Sequence, residues 1–117
     1  MSFAPNIWHI AYHVLFYTHL YLQGSEQEFL PWAKHRKDYQ SFQPEIREPF
    51  TKEDILAYLD VCQQQVDEKA RQLTLDAESG FSWLPFGKLE LQLYNIRHIQ
   101  QHTGELMERL GTRRILT

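Results

Sequence analysis

Two histidines in the C-terminal part of the chain have a spacing that metal-binding helices use. His98 and His102 lie four residues apart within 94–106, a stretch whose apolar spacing predicts a long helix. Side chains four apart share one helical face, so both imidazoles can reach one metal ion. The His-Glu-x-x-His motif of zinc metalloproteases is absent, and with it their general base. Such pairs also occur by chance, so the spacing alone is a weak indication of a metal site.

A third ligand would have to come from another helix, and His9 and His13 are the candidates. They share one face of an N-terminal helix. Three imidazoles leave open positions on a metal ion, which is typical of catalytic rather than structural sites. The alternative is that they are hydrogen-bonded histidines in an aromatic core, and composition and spacing alone favour this alternative.

Three residues beside the histidine pair each allow two interpretations. Asn95 precedes His98 by three residues and Glu105 follows His102 by three, so either could orient an imidazole, although such residues are more often solvated. Gly104 indicates either the close approach of a helix or ligand, or a tolerated defect that costs roughly 1 kcal/mol relative to alanine.

The elements that would position these side chains are all helical. Apolar residues recur at helical spacing in three stretches, near residues 5–23, 52–73 and 87–110, and no strand pattern is present. The first helix is apolar almost all round and must be covered on most sides. The sequence therefore predicts an all-α helical bundle that forms a single domain over residues 1–117.

The second and third helices have clear end signals and apolar stripes. Thr51 and Asp54 are close to a capping box, Phe50 before the cap can pack on Ile55, and Gly111 marks the end of the third helix. The predicted core stripe of the second helix contains Ile55, Leu59, Cys62, Val66 and Leu73. The predicted core stripe of the third helix contains Leu89, Leu93, Ile96, Ile99, Met107 and Leu110. His98 and His102 fall on the shoulder of that stripe.

Two long connections join the predicted helices. Residues 25–50 lack a clean period except for a short helix near 26–30, and His35 among their charges is predicted to be solvated. The aromatic residues of this connection could fold over a site, but they are better explained as padding on the first helix; they are Phe29, Trp32, Tyr39 and Phe42. Residues 74–86 contain a turn at Ser79-Gly80 and too many large apolar residues for a solvated loop, so they should pack on the bundle.

Composition narrows the class of protein. The chain of 117 residues has a net charge of −3 and no basic block, which speaks against nucleic acid as a partner. The apolar stretch 7–22 is too short for a comfortable membrane span and is interpreted as a buried helix of a soluble protein. Cys62 is the only cysteine and the N-terminus has no signal-peptide pattern, which predicts a reducing compartment such as the cytoplasm.

Two stretches of the chain resemble the DinB/YfiT-like superfamily of metalloenzymes. They are Tyr12-His-Val-Leu-Phe-Tyr-Thr-His-Leu-Tyr-Leu22 and the more specific Tyr94-Asn-Ile-Arg-His-Ile-Gln-Gln-His-Thr-Gly-Glu-Leu106. The resemblance covers most of the chain. It implies a four-helix bundle and a divalent metal ion, zinc or nickel, held by His13, His98 and His102. His9 is the rival of His13 as first ligand.

The resemblance also implies an activity. Some members of the family are transferases or isomerases that use a low-molecular-weight thiol, and the open metal position would bind it as the nucleophilic thiolate. We therefore expect a metal-dependent transferase or hydrolase-like enzyme that acts on a small-molecule substrate. The alternative is a non-catalytic helical interaction protein whose histidines are structural.

The chain departs from the family pattern in its number of helices. Family members have a helix before the first one here, and only three long helices are predicted. The chain is therefore either a shortened form or one that completes its bundle with a second copy. We expect a homodimer that covers the first helix, with Trp8, Phe16 and Tyr21 near the contact.

Overall fold

The described part of the protein, residues 7–42 and 48–112 of a computed structural model, is built from three long helices. They are α1 (Ile7–Tyr21), α2 (Lys52–Lys69) and α3 (Lys88–Thr112). Short 3₁₀ turns lie at Glu26–Glu28 and Ala70–Gln72. Within the described ranges there is no strand, only an isolated bridge between Glu78 and Gly87. The all-α prediction is thus confirmed, while the predicted helix start at Pro5 lies outside the described residues and Gly111 lies inside the last turn of α3.

α1 is the central helix of the fold. It packs against both α2 and α3, whereas α2 and α3 have little contact with each other. Tyr12 of α1 meets Tyr58 of α2 with 5.2 Å between ring centroids, and His13 meets His98 of α3 at 5.0 Å. No residue of Ile7–Tyr21 is exposed. The arrangement places one face of α1 against α3, and this face contains His13.

The connection after α1 covers the side of that helix that α2 and α3 leave open. Phe29, Trp32 and Tyr39 pack against the aromatic core, as predicted. The prediction that His35 is solvated is wrong. Its ring stacks on Phe16 with 5.0 Å between centroids, and its Nδ1 is hydrogen-bonded to the Tyr12 hydroxyl. The charged neighbours of His35 are exposed, so the loop turns only the imidazole toward the core.

The predicted contact between two copies assumed that one chain leaves α1 uncovered. The connection after α1 covers it, so this assumption does not hold. Phe16 and Tyr21 are buried within the chain and Trp8 is partly buried. Among the described residues, the exposed large apolar side chains lie on α2, on α3 and in the two connections, and none lies on α1. The first helix therefore needs no second copy to shield it.

α2 begins as predicted but turns a different face inward. Thr51 and Asp54 form a reciprocal capping box, with both hydrogen bonds at 3.1 Å. Cys62 is buried as predicted, but Tyr58 is the other buried residue of the helix, and Leu59 and Val66 are exposed. Tyr12 of α1 contacts the Tyr58 ring, so the face of α2 that contains Tyr58 and Cys62 packs against α1. The predicted stripe is therefore only partly buried.

α3 shows the largest departure from the sequence analysis. The buried positions of its first four turns are Lys88, Leu91, Asn95 and His102, with His98 partly buried. The members of the predicted core stripe that are exposed are Leu89, Leu93, Ile96 and Met107. α1 presents histidine and tyrosine to α3, so the mixed polar face of α3 packs there and its most apolar face remains outside.

The connection 74–86 packs on the bundle, as predicted, and closes against the segment after α1. Phe81 is buried, and Gly80 accepts a hydrogen bond from the Glu26 amide at 3.0 Å. Gly80 has a φ of +87°, and a Cβ there would lie 2.2 Å from the Gly24 carbonyl oxygen, so no other residue fits. The Lys88 ammonium joins the two segments by donating to the carbonyls of Gln23, Gly24 and Ser79.

Candidate metal centre

Three imidazoles converge where α1 crosses α3. His13 comes from α1, and His98 and His102 come from successive turns of α3. Their ligand-capable nitrogens all lie within 4.8 Å of one another, and the Nε2 atoms of His13 and His98 are 3.1 Å apart. The helical spacing of four residues puts both α3 rings on the face that α1 covers. The three histidines named by the sequence analysis therefore form one cluster that could hold a metal ion.

Hydrogen bonds at the far side of two rings determine which nitrogen is free. A carbonyl oxygen can only accept, so Nδ1–H of His13 donates to the Gln40 carbonyl at 2.7 Å. Nδ1–H of His102 donates to the Glu105 carboxylate at 2.8 Å. In the neutral form each of these rings then has an unprotonated Nε2, which is the form that binds a metal ion. Glu105 thus orients the His102 imidazole, which is the first of the two interpretations that the sequence allowed for Glu105.

His98 differs because one of its ring nitrogens has no partner. Its Nδ1 is buried and lacks a hydrogen bond within the described residues, and so does Oδ1 of the buried Asn95 one turn earlier. Burial, together with the neighbouring His102 and His13, lowers the pKa of His98 from 6.5 to about 4. Burial also lowers the pKa of His13, although the Gln40 carbonyl opposes this shift. Both rings are therefore neutral at pH 7.

The donor set and its spacing fit a divalent metal ion. Two nitrogens that each lie about 2.0–2.1 Å from one ion are about 2.8–3.4 Å apart when the angle at the ion is between 90° and tetrahedral. The 3.1 Å between the Nε2 atoms of His13 and His98 falls in this range. Imidazole suits zinc, nickel, copper and iron. Three neutral imidazoles on two rigid helices would leave further coordination positions open.

The cluster opens into an aromatic pocket of about 420 Å³. His13 and His98 line this pocket, and the remaining lining residues are Tyr17, Tyr21, Trp83 and Tyr94. Burial raises the pKa of Tyr17 and Tyr21, so their phenols stay protonated and can donate hydrogen bonds. This pocket was not predicted from the sequence. The signal that could have indicated it is the spacing of His13, Tyr17 and Tyr21, which are four residues apart and so share one face of α1.

Phe42 packs against the cluster and is not among the residues that line the pocket. Its ring stacks on His13 with 4.4 Å between centroids and also approaches His102 at 6.1 Å. Among the aromatic residues of the 25–50 connection, Phe42 therefore lies over the site, whereas the others pad α1.

The remaining histidines have other partners. His9 is buried, and its Nε2 donates to the carbonyls of Tyr39 and Ser41 at 3.1 and 2.6 Å, so it is not part of the cluster. His19 faces α2, where its Nδ1 lies 2.9 Å from the Tyr58 hydroxyl. His9 thus matches the alternative given for His9 and His13, namely a hydrogen-bonded imidazole in an aromatic core, and His19 has similar surroundings.

Gly104 and Cys62, which the sequence also singled out, lie outside the histidine cluster. Gly104 is exposed, and an added Cβ would meet nothing within 4 Å, so no helix of the described part of the chain approaches it closely. Cys62 is a buried free cysteine, and burial raises its pKa to about 12. Its thiol donates to the Leu15 carbonyl at 3.4 Å, which agrees with the predicted role as a small core residue.

A comparison with protein families assigns the chain to one of them. The family model described as the DinB superfamily matches residues 1–106 of the chain. The chain belongs to the DinB superfamily. None of the curated proteins and none of the solved structures with which it was compared matches it significantly. Among the described helices of this DinB-superfamily protein, none has the length and apolar character needed to cross a membrane.

Proposed function

We propose that this DinB-superfamily protein binds a divalent metal ion, zinc or nickel, through Nε2 of His13, His98 and His102. The observation that supports the proposal most directly is the convergence of three imidazole nitrogens within 4.8 Å. Two of the rings are oriented from behind by Gln40 and Glu105. A hydrogen-bond acceptor behind each ligating ring is the usual arrangement in metal sites.

We further propose that the aromatic pocket admits a small molecule to the open side of the ion. A divalent ion with open positions polarises a bound group and lowers the pKa of a bound water or thiol. Tyr17, Tyr21 and Tyr94 would bind and orient the substrate with their rings and hydroxyls, and Phe42 would exclude water from the far side. This arrangement suits a metal-dependent transferase that uses a low-molecular-weight thiol, or a hydrolase-like enzyme.

The residues around the pocket favour a nucleophile that the ion itself activates. The carboxylate nearest the cluster, Glu105, is occupied by the His102 imidazole and lies 3.8 Å from Arg109. The six lining residues of the pocket include no carboxylate. A metal-bound thiolate needs no general base to attack, because the thiol is already deprotonated on the ion.

The second candidate function is a non-catalytic helical interaction protein. The exposed apolar side chains of α3 support it, since large exposed apolar patches usually mark interaction sites. In this case the histidine cluster would be a structural feature of the α1–α3 contact, held by the hydrogen bond between His13 and His98.

Metal analysis of untagged protein separates the two functions. We expect about one zinc or nickel ion per chain in the purified wild type, and none in His102→Ala, whose helices should remain largely formed by circular dichroism. His19→Gln is the matched control, because it removes a buried histidine outside the cluster and should retain the ion. Equal metal content in His102→Ala and wild type, or none in either, would favour the interaction protein.

A further inference from the structure

Three successive backbone carbonyls of the 25–50 connection point at two histidines of α1. We call residues 39–42 the strap. The carbonyls of Tyr39 and Ser41 both accept from His9 Nε2, and the carbonyl of Gln40, between them, accepts from His13 Nδ1. The His9 contact with Ser41, at 2.6 Å, is the shortest of the three. His9 therefore holds the strap on both sides of the carbonyl that His13 uses.

His9 is itself fixed in place. Its side chain is buried, its ring stacks on Trp8 with 4.7 Å between centroids, and the edge of the Phe42 ring approaches it at 5.1 Å. An imidazole locked in this way can hold two carbonyl oxygens at fixed positions, whereas a solvated loop would let them turn to water.

The amide groups of the strap do not fix the position of the Gln40 carbonyl. The amides of Tyr39 and Ser41 bond back to the carbonyls of Arg36 and Asp38 in the preceding turn. The Tyr39 hydroxyl donates outward to the Glu48 carbonyl. These bonds shape the loop but do not tie it to α1. The hydrogen bonds that join the backbone of the strap to α1 come from His9 and His13.

We propose that His9 is a positioning residue for the metal centre, acting on His13 through the strap. By placing the Gln40 carbonyl, His9 keeps the proton of His13 on Nδ1 and leaves Nε2 free toward His98 and His102. By placing Ser41, it also sets the next residue, Phe42, against the His13 ring. The effect of His9 on the tautomer of His13 follows from the strap geometry. The effect of His9 on metal affinity rests on the proposed function.

Two substitutions at His9 separate orientation from packing. His9→Phe keeps a ring for the contacts with Trp8 and Phe42 but removes the donor to the strap. His9→Gln retains an amide N–H donor and serves as the conservative rescue. His35→Phe is the matched control, because it removes another hydrogen bond between the 25–50 connection and α1 while keeping a ring against Phe16.

The first measurement is made without metal. Long-range proton–nitrogen NMR spectra of the apo protein report which ring nitrogen of His13 carries the proton. We expect the Nδ1–H form in the wild type, His9→Gln and His35→Phe, and a mixture of the two tautomers in His9→Phe. A purely Nδ1–H ring in His9→Phe would overturn the inference.

The second measurement is titration with cobalt(II), followed by its visible absorption bands. We expect His9→Phe to bind cobalt about tenfold more weakly than wild type, the lower end of the effect of outer partners on metal affinity. We expect affinities close to wild type for His9→Gln and His35→Phe. Unchanged affinity in His9→Phe would overturn the effect on the metal site. Failure of the wild type to bind cobalt, with the tautomer change in His9→Phe still present, would overturn the proposed function and support the orienting role of His9.

Discussion

The Nε2 atoms of His13 and His98 lie 3.1 Å apart, although 85 positions separate the two residues in the chain. Nδ1 of His13 donates to Gln40, so Nε2 of His13 can only accept in the neutral ring. The proton between the rings therefore belongs to His98 when no ion is bound. With an ion bound to both Nε2 atoms, the proton of His98 must sit on Nδ1 instead.

We expect Asn95 to accept that proton. Its Oδ1 and the Nδ1 of His98 are both buried and without a partner in the described ranges, one helical turn apart. We expect Asn95→Leu to weaken cobalt(II) binding by about tenfold, because His98 would lose its acceptor in the bound form. The apo protein should be as stable as wild type or more so, since the substitution removes a buried unsatisfied group. Cobalt titration and apo thermal melts together test this; weakened binding with an equally weakened apo fold would contradict it.

Glu105 should contribute to metal affinity through His102. Its carboxylate accepts from His102 Nδ1 at 2.8 Å and is half-exposed. We expect Glu105→Ala to raise the dissociation constant for zinc by about tenfold, and Glu105→Gln by less, because the amide oxygen still accepts. Competition with a zinc-sensitive dye measures both. Identical constants for Ala and Gln would mean that the hydrogen bond does not orient His102.

The stability of the apo protein should fall in acid, and His19 is one of the buried histidines responsible, together with His98. Burial lowers the pKa of His19 from 6.5 to about 4. Between these values the unfolded chain binds a proton that the folded chain does not, so this contribution is complete above pH 6.5 and is lost as the pH falls toward 4. The change at one such group is on the order of 2 kcal/mol between pH 6.5 and 4.5.

Urea unfolding in the presence of EDTA at pH 7 and pH 4.5 tests this expectation. The buried His19 imidazole is hydrogen-bonded through Nδ1 to the Tyr58 hydroxyl, so protonation of the ring would place a charge in this buried contact. His19→Gln keeps an acceptor that does not titrate, so its loss of stability between the two pH values should be smaller than that of wild type. An equal loss would assign the acid sensitivity to other groups.

We propose a homodimer that uses the outer face of α3 instead of α1. Leu89, Leu93 and Ile96 are all more than half exposed and are spaced by four and three residues, the pattern that packs against another helix. A second copy offers the same stripe, as a two-fold symmetric contact requires. We expect a dimer at micromolar concentration by light scattering, and a monomer for Ile96→Glu.

A matched substitution controls for the added charge. Leu30 is the most exposed large apolar residue of the described chain and lies in the 25–50 connection, away from α3. Leu30→Glu should therefore leave the dimer unchanged. A wild-type monomer of about 14 kDa would exclude the α3 contact.

The parts of the structure that follow from local residue pattern could be predicted from the sequence. The i,i+4 spacing of His98 and His102 placed both rings on one face of α3, and Thr51 with Asp54 defined the start of α2. These features depend on residues a few positions apart on one helix. The choice of His13 as the third member of the cluster came from the family resemblance, and the structure places it there.

The errors concern which face of each helix meets a neighbour. The stripe of Leu89, Leu93 and Ile96 is the most apolar face of α3, but α1 instead covers Leu91, Asn95 and His102. Periodicity identifies an apolar face without specifying its partner, so it cannot distinguish the core from an exposed surface.

Backbone contacts were equally beyond the reach of the sequence. The strap acts through its carbonyls, which every residue type possesses, so nothing in the letters of residues 39–41 indicates the hydrogen bonds to His9 and His13. His35 was misjudged for a related reason, because its charged neighbours predicted solvent while the turn of the loop directs its ring inward.

The reactivity of the Lys88 amine should report local unfolding of the protein. It is buried and donates to the carbonyls of Gln23, Gly24 and Ser79, whereas Lys34, Lys37 and Lys52 are exposed. An acylating reagent attacks only an uncharged, accessible amine, so brief treatment of the folded protein should modify the exposed lysines and spare this one. The acylated fraction of Lys88, measured by peptide mass spectrometry, would then give the fraction of molecules in which the segments after α1 and before α3 have separated.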